Sequence, residues 1–178
     1  MFRGPLSLIV LVVVIAFGFG IWLFLLRPED SLPARPDAVV VLAGSEARLP
    51  VALNLVESGI GKTLVVSTDS AENDPDRYAL CHGPKPKRYT LVCRRASPFS
   101  TRGEARMIGG LVSRYGWHKV VVVSSRYHLY RSKIVIGSCT DAALSMRAAY
   151  GDSWWQKAKA IPLEYAKLAR AQTLQRGC

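Results

Sequence analysis

Three stretches of this chain are apolar at consecutive positions and then stop at polar residues: "DAVVVLAG" at 37–44, "TLVVSTD" at 63–69 and "HKVVVVSS" at 118–125. A strand with one face in water alternates apolar and polar side chains. Runs without alternation need cover on both faces, as in a parallel sheet sandwiched between helices. Between the first two runs, Leu49, Ala52, Leu53, Leu55 and Val56 recur at helical spacing, and Gly59 supplies the stop. Residues 101–115, closed by Gly116, and 127–136 read as further helices. Alternating strands and helices of this kind predict an α/β domain over 37–178, three-layered and Rossmann-like, with a mainly parallel sheet. Beyond Gly137 the pattern weakens to a strand within 142–147 and helices around 153–160 and 162–175. Residues 70–99 carry four of the ten prolines and read as an irregular excursion. No internal repeat or second core is evident.

Ahead of the domain, residues 6–26 ("LSLIVLVVVIAFGFGIWLFLL") carry no charge and are long enough to cross a bilayer as a helix. The run exceeds the roughly 7–15 apolar residues of a signal peptide, and no small-x-small site precedes Arg27-Pro28-Glu29-Asp30. An uncleaved single-pass anchor is therefore expected, after a tail at 1–5 and before a proline-stiffened linker at 27–36. Trp22 suits the water interface. The Gly-x-x-x-Gly spacing of packed membrane helices is absent, since Gly18 and Gly20 are two apart. Orientation is not decided by charge, because Arg3 precedes the run and Arg27 and Arg35 follow it.

Cysteine offers a second clue to orientation. Cys81 and Cys93 flank a basic, proline-rich segment, an odd place for inert core thiols. A disulfide there would contribute roughly 2–3 kcal/mol and would need an oxidising compartment, which places the domain outside the cytoplasm. Reduced thiols in a cytoplasmic domain are the other reading. Four cysteines allow three pairings, and Cys139 with Cys93 is the main competitor. No Cys-x-x-Cys pair suggests zinc, and no metal site is expected.

The chain is basic, +11 overall, and the excess lies beyond the anchor. A basic domain tethered at a bilayer favours anionic headgroups, phosphorylated lipids or anionic polymers. Nucleic acid is disfavoured, because the anchor restricts access and no nucleic-acid motif is present.

In open α/β sheets ligands sit beyond the carboxyl ends of the strands. Three strand ends here are polar: Ser45-Glu46 with Arg48, Ser67-Thr68-Asp69, and Ser124-Ser125 with His128 and Arg131. His128 and Arg131 are three apart, hence on one helix face near its positive end, where an anion is favoured. Thr101 and Glu104 have the spacing of a capping box, which explains them without any function. No nucleophile elbow, Walker loop, dinucleotide fingerprint or His-Glu-x-x-His motif occurs, so no cofactor is named. The basic run "GPKPKR" reads as a solvated loop, or as a lid or headgroup contact beside the pocket.

"DAVVVLAGSEAR", "TLVVSTD", "STRGEA" and "VVVVSSRYHLYRS" follow one another in an order that resembles the YdcF-like family, the group that includes SanA and ElyC. The resemblance covers about residues 37–137. It implies a compact α/β domain, commonly anchored in the inner membrane and facing outward. SanA and ElyC are associated with envelope integrity and with peptidoglycan or lipid-carrier metabolism, and YdcF with S-adenosylmethionine. One departure is that the first strand ends "LAGSEAR", without the second glycine and longer loop of many members.

Residues and resemblance together suggest a membrane-anchored envelope enzyme or accessory factor acting on an anionic, phosphorylated, lipid-linked precursor. In that reading Arg48 and Arg131 clamp phosphate. His128 is general acid or base, and Glu104 orients it or activates water. Ser45, Asp69, Thr101 and Ser125 bind. The alternative is a non-enzymatic module that senses a small ligand or lipid headgroup.

Overall fold

The computed structural model describes residues 4–69, 73–173 and 177–178. Arg3 and the tail end of the last expected helix, to Gln175, lie outside the described residues. Five strands form one all-parallel sheet: β1 (Ala38–Val41), β2 (Thr63–Ser67), β3 (Thr90–Arg94), β4 (Lys119–Ser125) and β5 (Ala143–Ala149), in the order β3-β2-β1-β4-β5. Helices α2 (Arg48–Glu57) and α3 (Pro75–His82) cover one face, and α4 (Thr101–Tyr115) and α5 (Leu129–Gly137) cover the other. Successive strand residues point to opposite faces. Val40, Val65, Val120 and Val122 pack under α4 and α5, while Val39, Val41, Val66 and Val121 pack under α2. Fully buried valines on both faces are why the runs lack alternation.

The excursion at 70–99 is more ordered than its prolines suggest. Asp74 accepts a hydrogen bond from the Arg77 amide and, with Pro75 next, starts α3. "TLVCR" then adds β3 as the sheet edge. Cys81 and Cys93 join these two elements at a Cα separation of 5.9 Å. Cys139 pairs with Cys178, not with Cys93, and ties the chain's end beside α5. The two helices expected at 153–160 and 162–175 are one, α6 (Trp154–Thr173), with Pro162 inside it at an exposed position. There the ring's missing N–H leaves a carbonyl that water can reach.

Helix α1 (Pro5–Ile21), extended by a π-helical turn over Trp22–Leu26, is long and apolar enough to cross a membrane. It is not loosely tethered. Arg126, just past β4, donates from Nε to the Leu25 carbonyl at 2.8 Å and from Nη2 to that of Arg27, which answers open carbonyls at the helix end. Phe24 packs edge-on against Tyr130 and Tyr165. The linker's carboxylates cap the outer edge of the sheet. Asp30 accepts from the Met146 amide and Glu29 from that of Ala148, both at 3.0 Å, so the β5 edge is not left open for another strand.

Candidate functional site

The chain runs outward from β1 through β2 to β3, then returns to place β4 on the other side of β1. Such a reversal opens a crevice at the strands' carboxyl ends, where α/β sheets bind ligands. A cleft of about 630 Å³, counted to its open mouth, lies there. Its walls carry Arg48 from α2, Thr101 and Glu104 from α4, His128 and Arg131 beyond β4, and Glu164 and Lys167 from α6.

On the β1 side, Gly44 turns the chain with φ +116°, a conformation open to glycine. A Cβ there would sit 3.0–3.3 Å from the Arg48 guanidinium, which lies against the bare backbone. Arg48 donates from Nε to Ser125 Oγ at 3.1 Å and from Nη1 to the carbonyls of Ala43 and Leu42. Its Nη2 hydrogens have no partner among the described residues. Burial pulls the Arg48 pKa down, against the pull of nearby Tyr127 and Glu104, yet a guanidinium stays charged. Ser125 is fully buried, so it positions Arg48 rather than meeting a ligand.

Glu104 does not cap its helix. The N-cap is Ser100, which accepts from the Gly103 amide at 3.2 Å, and Thr101 is the first helical residue. The Glu104 carboxylate instead accepts from the Ala43 amide at 2.7 Å. Desolvation pushes its pKa up, opposed by the Ser67 hydroxyl, that amide and Arg48. Gly103 lets the start of α4 lie against the preceding loop, since a Cβ would meet the Pro98 carbonyl oxygen at 1.9 Å.

On the β4 side, Arg131 is nearly spent. Nε donates to Glu164 Oε2 at 2.7 Å, Nη2 donates to Glu164 Oε1 at 3.1 Å and to His128 Nδ1 at 2.9 Å, and Nη1 donates to Thr101 Oγ1 at 3.1 Å. Of five guanidinium hydrogens, one on Nη1 remains. Arg131 can only donate, so His128 Nδ1 accepts at 2.9 Å, and Glu164 Oε2 lies 3.5 Å from the same nitrogen. The ring proton is then on Nε2, which faces Thr101 Oγ1 at 3.4 Å. Desolvation drops the His128 pKa to about 4 despite the Glu164 carboxylate, with Arg131 adding to the drop. For Glu164, burial alone would raise the pKa, but the contacts with His128 and Arg131 hold it at about 2.

Several expectations change accordingly. His128 is neutral near pH 7 with Nδ1 taken up by Arg131, so in this arrangement the ring donates from Nε2. Its carboxylate neighbour is Glu164, not Glu104. Arg131 is an ion-pair partner with one N–H to spare, not a two-pronged clamp. Thr101 gains a sharper role. Both its lone pairs receive hydrogen bonds, from Arg131 and His128, which leaves its own O–H to donate into the cleft.

Ser45 and Asp69 are not on the cleft wall. The Ser45 carbonyl accepts from Arg77 at 3.5 Å, and Asp69 pairs with Arg95 at 3.7 Å. The basic run 85–88 precedes β3, at the amino-end edge of the sheet, so it is no lid over this cleft.

Three participants were not anticipated. Glu164 had a readable signal, an acid at the apolar spacing Ile161–Glu164–Leu168. Arg77, 1% exposed and paired with Asp74 at 3.1 Å, bridges the β1 and β2 loops through the Ser45 and Ser67 carbonyls. Lys167 looked like an ordinary solvated lysine. With Arg48 and Arg131, it sets three cations against Glu104 and Glu164 in the cleft wall. No protein-family model matches this chain, and no curated protein matches it.

Proposed function

We propose that this is a membrane-anchored envelope protein of the YdcF-like kind, with its domain outside the cytoplasm, whose cleft binds the phosphorylated headgroup of a lipid-linked precursor. The observation that carries the reading is the convergence of unspent donors at the sheet's reversal point. These are the Nη2 hydrogens of Arg48, the hydroxyl of Thr101 and the remaining Nη1 hydrogen of Arg131. Donors held by buried neighbours suit an anion, and guanidinium suits phosphate above other anions. Lys167 at the mouth adds charge without a fixed geometry. Two disulfides favour an oxidising compartment.

A second reading, in which the precursor is turned over, rests on Glu104. Of the two cleft carboxyls it is the one whose pKa ends above the ordinary value, burial outweighing its hydrogen bonds, as suits a proton-transferring acid. Full-length protein in nanodiscs with a polyprenyl phosphate or diphosphate tests both. Thr101→Val and Lys167→Gln should each weaken binding while leaving the fold intact. Release of inorganic phosphate that Glu104→Gln abolishes would favour turnover, and tight binding with no release would favour a sensor. Equal affinity of wild type and both binding variants would end the phosphate reading.

A further inference from the structure

Helix α6 presents an outward face of an unusual kind. Its buried side carries Ile161, Glu164 and Leu168, and its exposed side mixes cations with large apolar side chains. Trp154 and Trp155 are 64% and 66% exposed and Leu163 is 52% exposed, with Pro162 and Ala166 open beside them. Trp155, Lys159 and Leu163 follow one another every four residues and so share a stripe. A helix that turns two indoles and a leucine outward exposes apolar area that water disfavours.

The anchor shows what covers it. Tyr165 of α6 donates its hydroxyl hydrogen to the Ala16 carbonyl at 2.8 Å, and Gly20 sits so close to Ile161 and Tyr165 that a Cβ would fall 2.6–2.7 Å from their side chains. The middle of α6 therefore lies beside the carboxyl-terminal half of the anchor. About 20 residues are needed to cross the hydrocarbon core, so an anchor that ends at Leu26 has that half inside or at the edge of the bilayer. Ala16 lies on the order of 15 Å along the helix axis from Leu26, at 1.5 Å per residue. Tyr165 reaches that carbonyl only with its hydroxyl, while the body of α6 packs against Gly20, Leu23 and Phe24, within about 9 Å of the helix end at 1.5 Å per residue. The domain cannot swing away, since Arg126 holds the anchor's end and Glu29 and Asp30 fix the linker to β5.

We propose that α6 lies in the interfacial layer of the bilayer that holds the anchor, with Trp154, Trp155 and Leu163 turned into anionic phospholipid and the cleft beside it facing the headgroups. This rests on the reading of α1 as a membrane span and does not depend on what the cleft binds. Indoles suit the water–hydrocarbon boundary. Lys159 on the same stripe, with Lys167 and Arg170 farther along, reaches back to lipid phosphates by its flexible stem. Because α6 also supplies Glu164 and Lys167 to the cleft, a lipid-linked headgroup enters from the membrane side without leaving the bilayer.

The chain's four tryptophans supply the test. Trp22 lies in the π-helical end of the anchor, Trp154 and Trp155 at the proposed contact, and Trp117 just before β4, at the strands' amino ends away from the cleft, stacked on Tyr115. Four full-length variants, each keeping one tryptophan and replacing the others with Phe, are reconstituted into phosphatidylglycerol vesicles with and without brominated acyl chains. The expected result is about twofold quenching by bromolipid for the Trp22, Trp154 and Trp155 proteins and little for Trp117, the pattern of an interfacial helix beside a span. Quenching of Trp22 alone would overturn the proposal and leave the anchor in place. Loss of quenching at Trp22 as well would overturn the anchor reading and this proposal together. Leu163→Glu in the Trp155 protein should reduce quenching there but not at Trp22, and an unchanged value would also count against it.

Discussion

The two walls of the cleft use the same residue types in opposite ways. On the β1 side, Arg48 spends itself on backbone carbonyls and Ser125, none of which carries charge, so its positive charge and two N–H groups remain for a ligand. On the β4 side, Arg131 is paired through two donors with Glu164 and also serves His128 and Thr101. In the proposed reading one guanidinium is a recognition group and the other a strut. Both are almost equally buried, at 5% and 8% exposed, so burial alone would not separate them. The partner set does.

The contrast is broken most forcefully at Glu164. Glu164→Ala strands the Arg131 charge in a dry setting, and removing one partner of a buried pair costs about 3–5 kcal/mol. Glu104→Gln should cost only about 1 kcal/mol, because the amide oxygen still accepts from Ala43. Thermal unfolding in detergent compares the two. If Glu104→Gln is the more damaging variant, the assignment of strut and recognition group is reversed.

Next in size is an opposite dependence on pH. The folded His128 pKa, about 4, lies below its ordinary 6.5. As pH falls through that window the unfolded chain takes up a proton that the folded one refuses, so stability is lost. At 1.36 kcal/mol per pH unit the loss is roughly 3 kcal/mol. Glu164, held at about 2, adds stability above its ordinary 4.5 that is lost as pH falls toward 2. Glu104 has the other sign. Its raised pKa gives stability that is present below 4.5 and lost as pH rises through the folded value. His128→Asn should remove the acid slope between 6.5 and 4, and Glu104→Gln should remove the contrary one. A slope unchanged in His128→Asn would mean the ring is not the titrating group.

The layered sheet was legible because fully buried parallel strands write themselves as unbroken valine runs, and Thr101–Tyr115 because Gly116 follows it in the left-handed conformation. The strand ends were likewise enough to bring Arg48, His128 and Arg131 to one cleft, while Thr101 and Glu104 joined the candidates only through the family resemblance. Their division of labour was not readable, because it depends on Glu164, which arrives from a helix about thirty residues farther on. Asp74 with Pro75 did announce α3, but the surrounding prolines and charges hid it, and with it Arg77. β3 was obscured in the same way, with "TLVC" framed by arginines on both sides. Spacing explained Thr101 and Glu104 as a cap. Only the register of one residue, Ser100 in place of Thr101, frees both for the cleft.

Gly44→Ala tests the recognition side alone. At φ +116° an L side chain is strained, and its Cβ would press on Arg48, so a cost of roughly 1–3 kcal/mol is expected. Affinity for inorganic phosphate should fall about tenfold as Arg48 shifts, equivalent to 1.4 kcal/mol. The acid slope set by His128 should stay, and its disappearance would mean that the two walls are one coupled network.

Thr101 is where the walls meet, and it is the finest test. Its oxygen takes hydrogen bonds from the strut, Arg131 and His128, while its hydrogen is left for the ligand. Thr101→Ser keeps both functions and should bind phosphate like wild type. Thr101→Val keeps the shape but loses both, at about 1 kcal/mol in stability and about tenfold in phosphate affinity. The two losses separate by pH. The stability loss reflects unanswered donors on Arg131 and His128, so it should shrink as acid dismantles the His128–Glu164 side below pH 4. The affinity loss should persist wherever Arg48 binds, because it belongs to the hydroxyl hydrogen. Calorimetry with inorganic phosphate at pH 7 and pH 5, beside melting curves at pH 7 and just below pH 4, measures both. A Thr101→Val protein that melts lower but binds phosphate as tightly as wild type would make the threonine part of the strut only, and would leave Arg48 as the recognition group without a neutral partner.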